Sequence, residues 1–148
     1  MSKKHVFLSY CRDNQKAVAQ LRSELSADGE QVWWDQEILG GQDWKLEIRR
    51  AMKDAFAVVV CLSQETEARL KSGIYPELAD AVQAYRQYAP GSVFLIPVRL
   101  SNCSIPDVEI SNAKTLDSLQ VIDLFPPPKW RDGLQRLIQS LQNAAEHP

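Results

Sequence analysis

Two runs, Ala57-Val58-Val59-Val60-Cys61-Leu62 and Val93-Phe94-Leu95-Ile96-Pro97-Val98, constrain this chain more than any other feature. Both are apolar at nearly every position. A strand with one wet face alternates, whereas a strand covered on both faces need not. These two runs therefore predict central strands of a sheet sandwiched between helices. Shorter β-rich runs lie at Val6-Phe7-Leu8-Ser9, Gln31-Val32-Trp33 and Val121-Ile122-Asp123-Leu124.

Between the runs the spacing turns helical. Val18, Leu21 and Leu25 form one stripe, ended by Asp28-Gly29. Trp44, Ile48 and Met52 form a second, with Asp43 as its N-cap and Trp44 as a buried anchor. Leu78, Ala81, Val82 and Tyr85 form a third, opened by Pro76. Leu134, Leu137, Ile138 and Leu141 form the last, after the break at Pro126-Pro127-Pro128. Strand and helix alternate, which predicts a parallel sheet with helices on both faces. Five such strands suit a flavodoxin-like three-layer α/β fold with strand order 2-1-3-4-5. Pro97 removes a ladder donor, so it predicts a bulge or the end of the fourth strand. In this order strands 1 and 3 send their connections to opposite faces, and a crevice opens between them. The loops beginning at Ser9-Tyr10-Cys11-Arg12 and at Ser63-Gln64-Glu65 would line it.

Length and charge bound the rest. With 148 residues the chain is one domain, core about 5–142, and 143–148 reads as a tail or the start of a linker. A formal net charge of −2 gives no electrostatic case for nucleic acid or an anionic membrane. No apolar run approaches the roughly 20 residues of a membrane span. The start runs straight into a strand pattern without a signal-peptide profile, and the three cysteines are scattered, so a cytoplasmic setting with reduced thiols is expected. With two histidines and no CxxC pair, no metal site is expected. No GxGxxG or Walker loop is present. His5 and His147 stand outside any Ser-His-Asp arrangement.

The residues then resemble a known family. His5-Val6-Phe7-Leu8-Ser9-Tyr10-Cys11-Arg12-Asp13 is similar to the first box of TIR (Toll/interleukin receptor/resistance) domains, an apolar strand ending in Ser-Tyr-x-Arg. Val32-Trp33-Trp34-Asp35 with Leu39, Gly41 and Trp44 resembles the second strand and its following BB loop. Phe94-Leu95-Ile96-Pro97-Val98-Arg99-Leu100 resembles the fourth-strand box of bacterial members. The resemblance spans roughly residues 5 to 142 and carries its motifs in order.

The resemblance implies one of two functions. Many members hydrolyse or cyclise NAD with one glutamate at the start of the helix after strand 3, in a pattern like Ser-x-Trp-Cys-x-x-Glu. Others only assemble with further TIR domains. Glu77 matches the glutamate, within Ser72-Gly73-Ile74-Tyr75-Pro76-Glu77. Gly73 stands where the family has Trp, so either Tyr75 takes the stacking role from two residues away or no aromatic does. A carboxylate in the first turn of a helix also has an ordinary role, stabilising the helix terminus. Ser9 is placed to bond a ribose or phosphate, or to bond its own turn backbone. Arg12 is placed to meet a diphosphate as a fork of donors, or to form a surface ion pair. Tyr10 reads as core or as substrate contact. Cys11 has no base beside it and reads as a bystander.

Residues 32 to 44 hold three of the four tryptophans around Gly40-Gly41. Trp33 and Trp34 point to opposite faces by the period of two, Trp33 into the core and Trp34 toward the crevice or solvent. A glycine loop pinned by aromatics suits a lid or a docking surface. In the family this loop packs on a neighbouring TIR domain, and assembly completes the NAD site. The resemblance therefore nominates Asp35, Ile38, Leu39, Gly40 and Gly41 as an interaction loop, Trp34 and Tyr75 as substrate contacts, and NAD as substrate with no cofactor. It implies an NAD glycohydrolase active in self-assembled form, in bacterial antiphage defence, with a fused or separate sensor module. The other implied function is a non-catalytic scaffold or adaptor.

Overall fold

A computed structural model describes residues 5–71, 79, 82, 83, 86, 94–111 and 114–146. Five parallel strands form the sheet in the order β2-β1-β3-β4-β7. They are β1 (His5–Ser9), β2 (Val32–Trp33), β3 (Ala55–Leu62), β4 (Phe94–Arg99) and β7 (Ile122–Asp123). The five β-rich runs of the sequence are these five strands, in the expected order. A small antiparallel hairpin of β5 (Glu109–Ser111) and β6 (Lys114–Thr115) precedes β7 and was not foreseen. Its strands are too short to carry a hydrophobic period.

Among the described residues four bounded helices flank the sheet: α1 (Gln15–Ala27), α2 (Trp44–Lys53), α3 (Gln64–Lys71) and α4 (Trp130–Glu146). Ala79, Val82, Gln83 and Arg86 are helical too, in the segment where the third stripe was expected, and Val82 is buried. The side chains divide into two cores, one on each face. Phe7, Val58, Val60, Leu62 and Leu95 meet Ala51 and Met52 of α2, Leu70 of α3 and Val82. Val6, Leu8, Val59, Cys61 and Val98 meet Val18, Leu21 and Leu25 of α1 and Leu137 and Leu141 of α4. The alternation along β1 and β3 is thus a division between two dry layers.

Local signals explain the helix ends. Gly29 takes φ +96 after α1, and its N–H bonds the Ser26 carbonyl. The Asp43 carboxylate accepts from the Leu46 N–H at 3.1 Å and caps α2. The chain turns through a cis Phe125–Pro126 bond before α4. Gly133 of α4 lies so close to the sheet that a Cβ there would sit 2.2 Å from the Asp123 carbonyl oxygen. The Trp130 indole N–H donates to the Glu24 carboxylate, joining α4 to α1.

Pro97 neither bulges β4 nor ends it. It pairs in register with Val60, and the strand runs on to Arg99. Successive N–H groups along a strand point to opposite sides. Leu100 donates to Leu62 of β3, so the donor missing at Pro97 lies on the other edge. There β7 pairs only with Val98 and Arg99, and the proline falls just before that pairing.

Candidate functional site

The connection from β1 passes to α1 on one face, and that from β3 passes to α3 on the other. The topological switch point therefore lies between β1 and β3, where doubly wound sheets bind ligands. Ser9, Tyr10 and Arg12 leave the carboxyl end of β1 there, and Ser63 to Thr66 leave β3. Glu77 and Tyr75 lie outside the described residues.

Ser9 is 4% exposed, and its hydroxyl has no hydrogen-bond partner among the described residues. The turn-backbone role is therefore not the one it plays. Arg12 is exposed and forms no ion pair among the described residues. The neighbouring carboxylate, Asp13, is engaged instead by Arg69 of α3, with Nε to Oδ2 at 3.1 Å and Nη2 to Oδ1 at 3.4 Å. Arg69 and then the Cys11 thiol hold the Asp13 carboxyl below its ordinary value. The Asp13–Arg69 pair joins positions far apart in sequence and was not foreseen.

A buried polar set ties the two loops together. The Ser63 hydroxyl donates to Asn14 Oδ1 at 2.7 Å. Asn14 Nδ2 faces Glu65 Oε1 at 3.4 Å. The Ser63 N–H donates to Thr66 Oγ1 at 2.7 Å, and the Thr66 N–H returns to Ser63 Oγ at 3.2 Å. This reciprocal cap at Ser63-x-x-Thr66 starts α3, and the spacing was a legible signal. Beyond it lies a cleft of about 550 Å³ lined by Glu67, Arg99, Asn102, Cys103, Ser104 and Ile105. Arg99 clasps Asp123 with two bonds of 2.7 and 2.8 Å and donates to the Cys103 carbonyl.

None of the three cysteines suits nucleophilic work. Burial raises the thiol pKa of Cys11, that of Cys103 to about 11 and that of Cys61 to about 12. All three stay protonated at neutral pH. Among the described residues no group of His, Cys, Asp and Glu side chains is arranged to hold a metal. Among the same residues no helix is long and apolar enough to cross a membrane.

The loop after β2 is tied at both ends. The Tyr10 hydroxyl donates to the Asp35 carboxylate, and Gln36 Nε2 lies 3.5 Å from the same hydroxyl. Burial first, and Asp35 second, raise the Tyr10 pKa well above its ordinary value. Trp34 tilts against Tyr10 with ring centroids 6.0 Å apart, and the Arg22 guanidinium lies over the Trp34 ring, 5.4 Å from its centroid. Arg22 also pairs with Glu37 at 3.1 Å. Asp35 to Glu37 form a single 3-10 turn. At the far end Gln42 accepts from the Leu39 N–H and donates to Glu47. Gly41 takes φ +87, a backbone that favours glycine, and Gly40 has open space around it. A loop pinned at both ends by aromatics was expected; here Tyr10 and Trp34 meet at its start, and Gln42 ties its far end by hydrogen bonds. Trp33 stacks on Phe7 in the core at 5.0 Å, as its parity required. Trp44 does not anchor α2: it is 44% exposed, because α2 turns Ile48, Ala51 and Met52 to the sheet instead. Leu39 and Leu46 are exposed as well, while Ile38 is half-buried.

These features define a doubly wound α/β domain with polar residues at its switch point and a hydrogen-bonded loop beside it. A family model for the TIR domain matches residues 6–138, and the chain belongs to the TIR domain family. Solved structures agree in fold. A metazoan TIR-STING receptor from C. gigas, in complex with 2′,3′-cGAMP, is 19% identical with a TM-score of 0.67, over 99% of this chain and 40% of that one. The RPS4 and RRS1 TIR domain heterodimer is 10% identical with a TM-score of 0.64, over 97% of this chain and 99% of that one. A prokaryotic SEFIR domain is 18% identical with a TM-score of 0.57, over 92% and 90%. The chain thus spans about two-fifths of the TIR-STING receptor chain. A search of curated proteins finds no match.

Proposed function

We propose that this TIR domain is an NAD glycohydrolase whose crevice takes NAD across the switch point. The observation that carries the reading is the unused polar chemistry there. A buried Ser9 hydroxyl stands next but two to an exposed Arg12, and among the described residues neither has a partner. A hydroxyl kept dry and unsatisfied costs free energy unless something else uses it. In this reading Ser9 bonds a ribose hydroxyl, and Arg12 meets the diphosphate with its fork of donors. Trp34 and Tyr75 supply ring faces for the bases.

The reaction breaks the bond between nicotinamide and ribose C1′. Nicotinamide leaves with the bonding pair as a neutral molecule, so no acid is needed for departure. The ribose becomes cationic, and the carboxylate of Glu77 stabilises that charge and orders the ribose hydroxyls. Water then attacks C1′, giving ADP-ribose and a released proton. Attack by an adenine nitrogen instead gives a cyclic product. NAD enters as substrate, and the sequence of steps needs no further cofactor. Assembly with other TIR domains acts through the loop Asp35–Gly41 and its apolar neighbours.

The test incubates concentrated protein with NAD and follows nicotinamide by chromatography, beside Glu77→Gln and Glu77→Ala. Release in the wild type and none in the variants is expected. Release that persists unchanged in both variants removes Glu77 from the mechanism. No release even when the protein is driven to oligomerise leaves a scaffold that works by association alone; the exposed Leu39, Trp44 and Leu46 favour that second reading.

A further inference from the structure

From Asp35 to Leu46 no residue is buried. The segment between β2 and α2 therefore lies outside both cores, and polar contacts hold its base. Tyr10 donates to Asp35 and lies within reach of Gln36. Arg22 of α1 reaches both ends of the 3-10 turn Asp35–Glu37: its guanidinium lies over the ring of Trp34, the residue that opens the turn, and its Nη2 donates to Glu37 Oε1 at 3.1 Å. Past the turn the bonds run within the segment and to α2, from Leu39 to Gln42 and from Gln42 to Glu47. Gly41 at φ +87 and Gly40 in open space give the far end the freedom of a hinge. The Arg22 grip also carries a cost. Its Nε is buried and has no hydrogen-bond partner among the described residues. A buried donor left unmade costs free energy that water would restore on release.

We propose that Asp35–Gly41 is a strap latched to α1 by Arg22, poised to open and close while both cores stay intact. The balance of forces sets the poise. The Arg22–Glu37 pair is partly exposed, so salt screens it and it holds weakly. The contact with the Trp34 ring adds a modest attraction. The unmatched Nε works against both. A segment with no buried residue and a grip this evenly matched opens locally, far below the cost of global unfolding. Latched, the strap keeps the Tyr10 hydroxyl engaged with Asp35 at the carboxyl end of β1. Released, it leaves that hydroxyl free beside Ser9 and carries the exposed Leu39 away from its latched position. The state of the strap is thus felt at the switch point. This inference stands apart from the NAD reading, and its test reads no turnover.

The experiment follows amide hydrogen exchange of the full chain at about 0.05 M and about 1 M sodium chloride, where screening runs from weak to nearly complete. Thermal unfolding is measured alongside. The variants are Arg22→Gln, Glu37→Gln and the two together. In the wild type, high salt is expected to speed exchange at residues 35 to 41 while β3 keeps its protection. Arg22→Gln at low salt is expected to speed the same residues about fivefold or more, with the unfolding temperature unchanged and little further response to salt. Glu37→Gln is expected to do so to a smaller extent, and to add nothing once Arg22 is replaced. Exchange at 35 to 41 that is the same in Arg22→Gln as in the wild type overturns the proposal. So does acceleration there that comes together with β3 and a lower unfolding temperature, since Arg22 would then support the whole fold. A full additional effect of Glu37→Gln in the Arg22→Gln background also overturns it, because the pair would not be the catch. Should Arg22→Gln fail to fold, Glu37→Gln and the salt response of the wild type decide: no acceleration in either sinks the strap.

Discussion

The phenol of Tyr10 donates to the carboxylate of Asp35, so the residue that closes β1 also holds the loop that follows β2. Tyr10 stands between Ser9 and Arg12 in the crevice segment, and Asp35 opens the loop whose tip exposes Leu39. The candidate site and the loop are thereby joined through the Tyr10 side chain.

Tyr10→Phe removes that contact while keeping the ring in its core position. A hydrogen bond to a charged partner contributes about 1.5–3 kcal/mol, and the lower end applies because Asp35 is half-exposed and regains water. Urea unfolding should show a loss of about 1.5 kcal/mol. Hydrogen exchange at residues 35 to 42 should accelerate while that of β3 stays unchanged.

His5 makes the fold sensitive to mild acid. Its ring Nε2 lies 2.7 Å from the Ala51 carbonyl, so the neutral ring donates there. Burial lowers its pKa from 6.5, against the opposing effects of that bond and of Asp54. The unfolded chain then binds the proton more readily than the folded one. Stability is at its full value above about pH 6.5 and falls as the pH drops through the folded value. Denaturant midpoints should fall between pH 7.5 and 5.5 in the wild type, and fall less in His5→Gln.

Gly133→Ala tests the approach of α4 to the sheet. The added methyl would meet the Asp123 carbonyl oxygen and the Leu124 side chain at once. A carbonyl in a paired strand cannot move aside cheaply, so the loss should reach about 3 kcal/mol or more, at the upper end for overpacking. Chemical unfolding measures it, and a loss below about 0.5 kcal/mol would refute the packing described.

Leu39→Asp and Trp44→Glu test the exposed apolar surface. Both side chains face solvent, so thermal stability should stay within about 0.5 kcal/mol of the wild type. If the surface serves assembly, light scattering at high concentration should show less self-association in both, with lower NAD turnover. Unchanged association would remove this surface from assembly.

The fold was legible because its strongest signals are local and repeated. The dry run Ala57–Leu62 can only be a central strand, and the Val18-Leu21-Leu25 stripe can only lie on such a sheet. Asp43 and Gly29 marked helix ends through chemistry confined to a single turn. Trp44 misled because its spacing fits the α2 stripe, yet the stripe is wide enough without it, and only the helix's rotation decides. Pro97 misled because the side of the strand that lacks a partner is a property of the sheet. The switch point followed from strand order, and so did the places of Ser9, Tyr10 and Arg12 at the carboxyl end of β1. The contacts of Asp13 with Arg69 and Asn14 with Ser63 did not, since nothing in either segment names its distant partner. Glu77 and Tyr75 rest on the motif alone, as they lie outside the described residues.

The outermost strands of the sheet, β2 and β7, are two residues long each. A neighbouring backbone has almost nothing to zip onto at either flank, which guards against runaway fibre growth by strand addition. Copies of this domain that come together must do so through side chains and loops, in contacts that a single substitution can weaken and that dilution can undo.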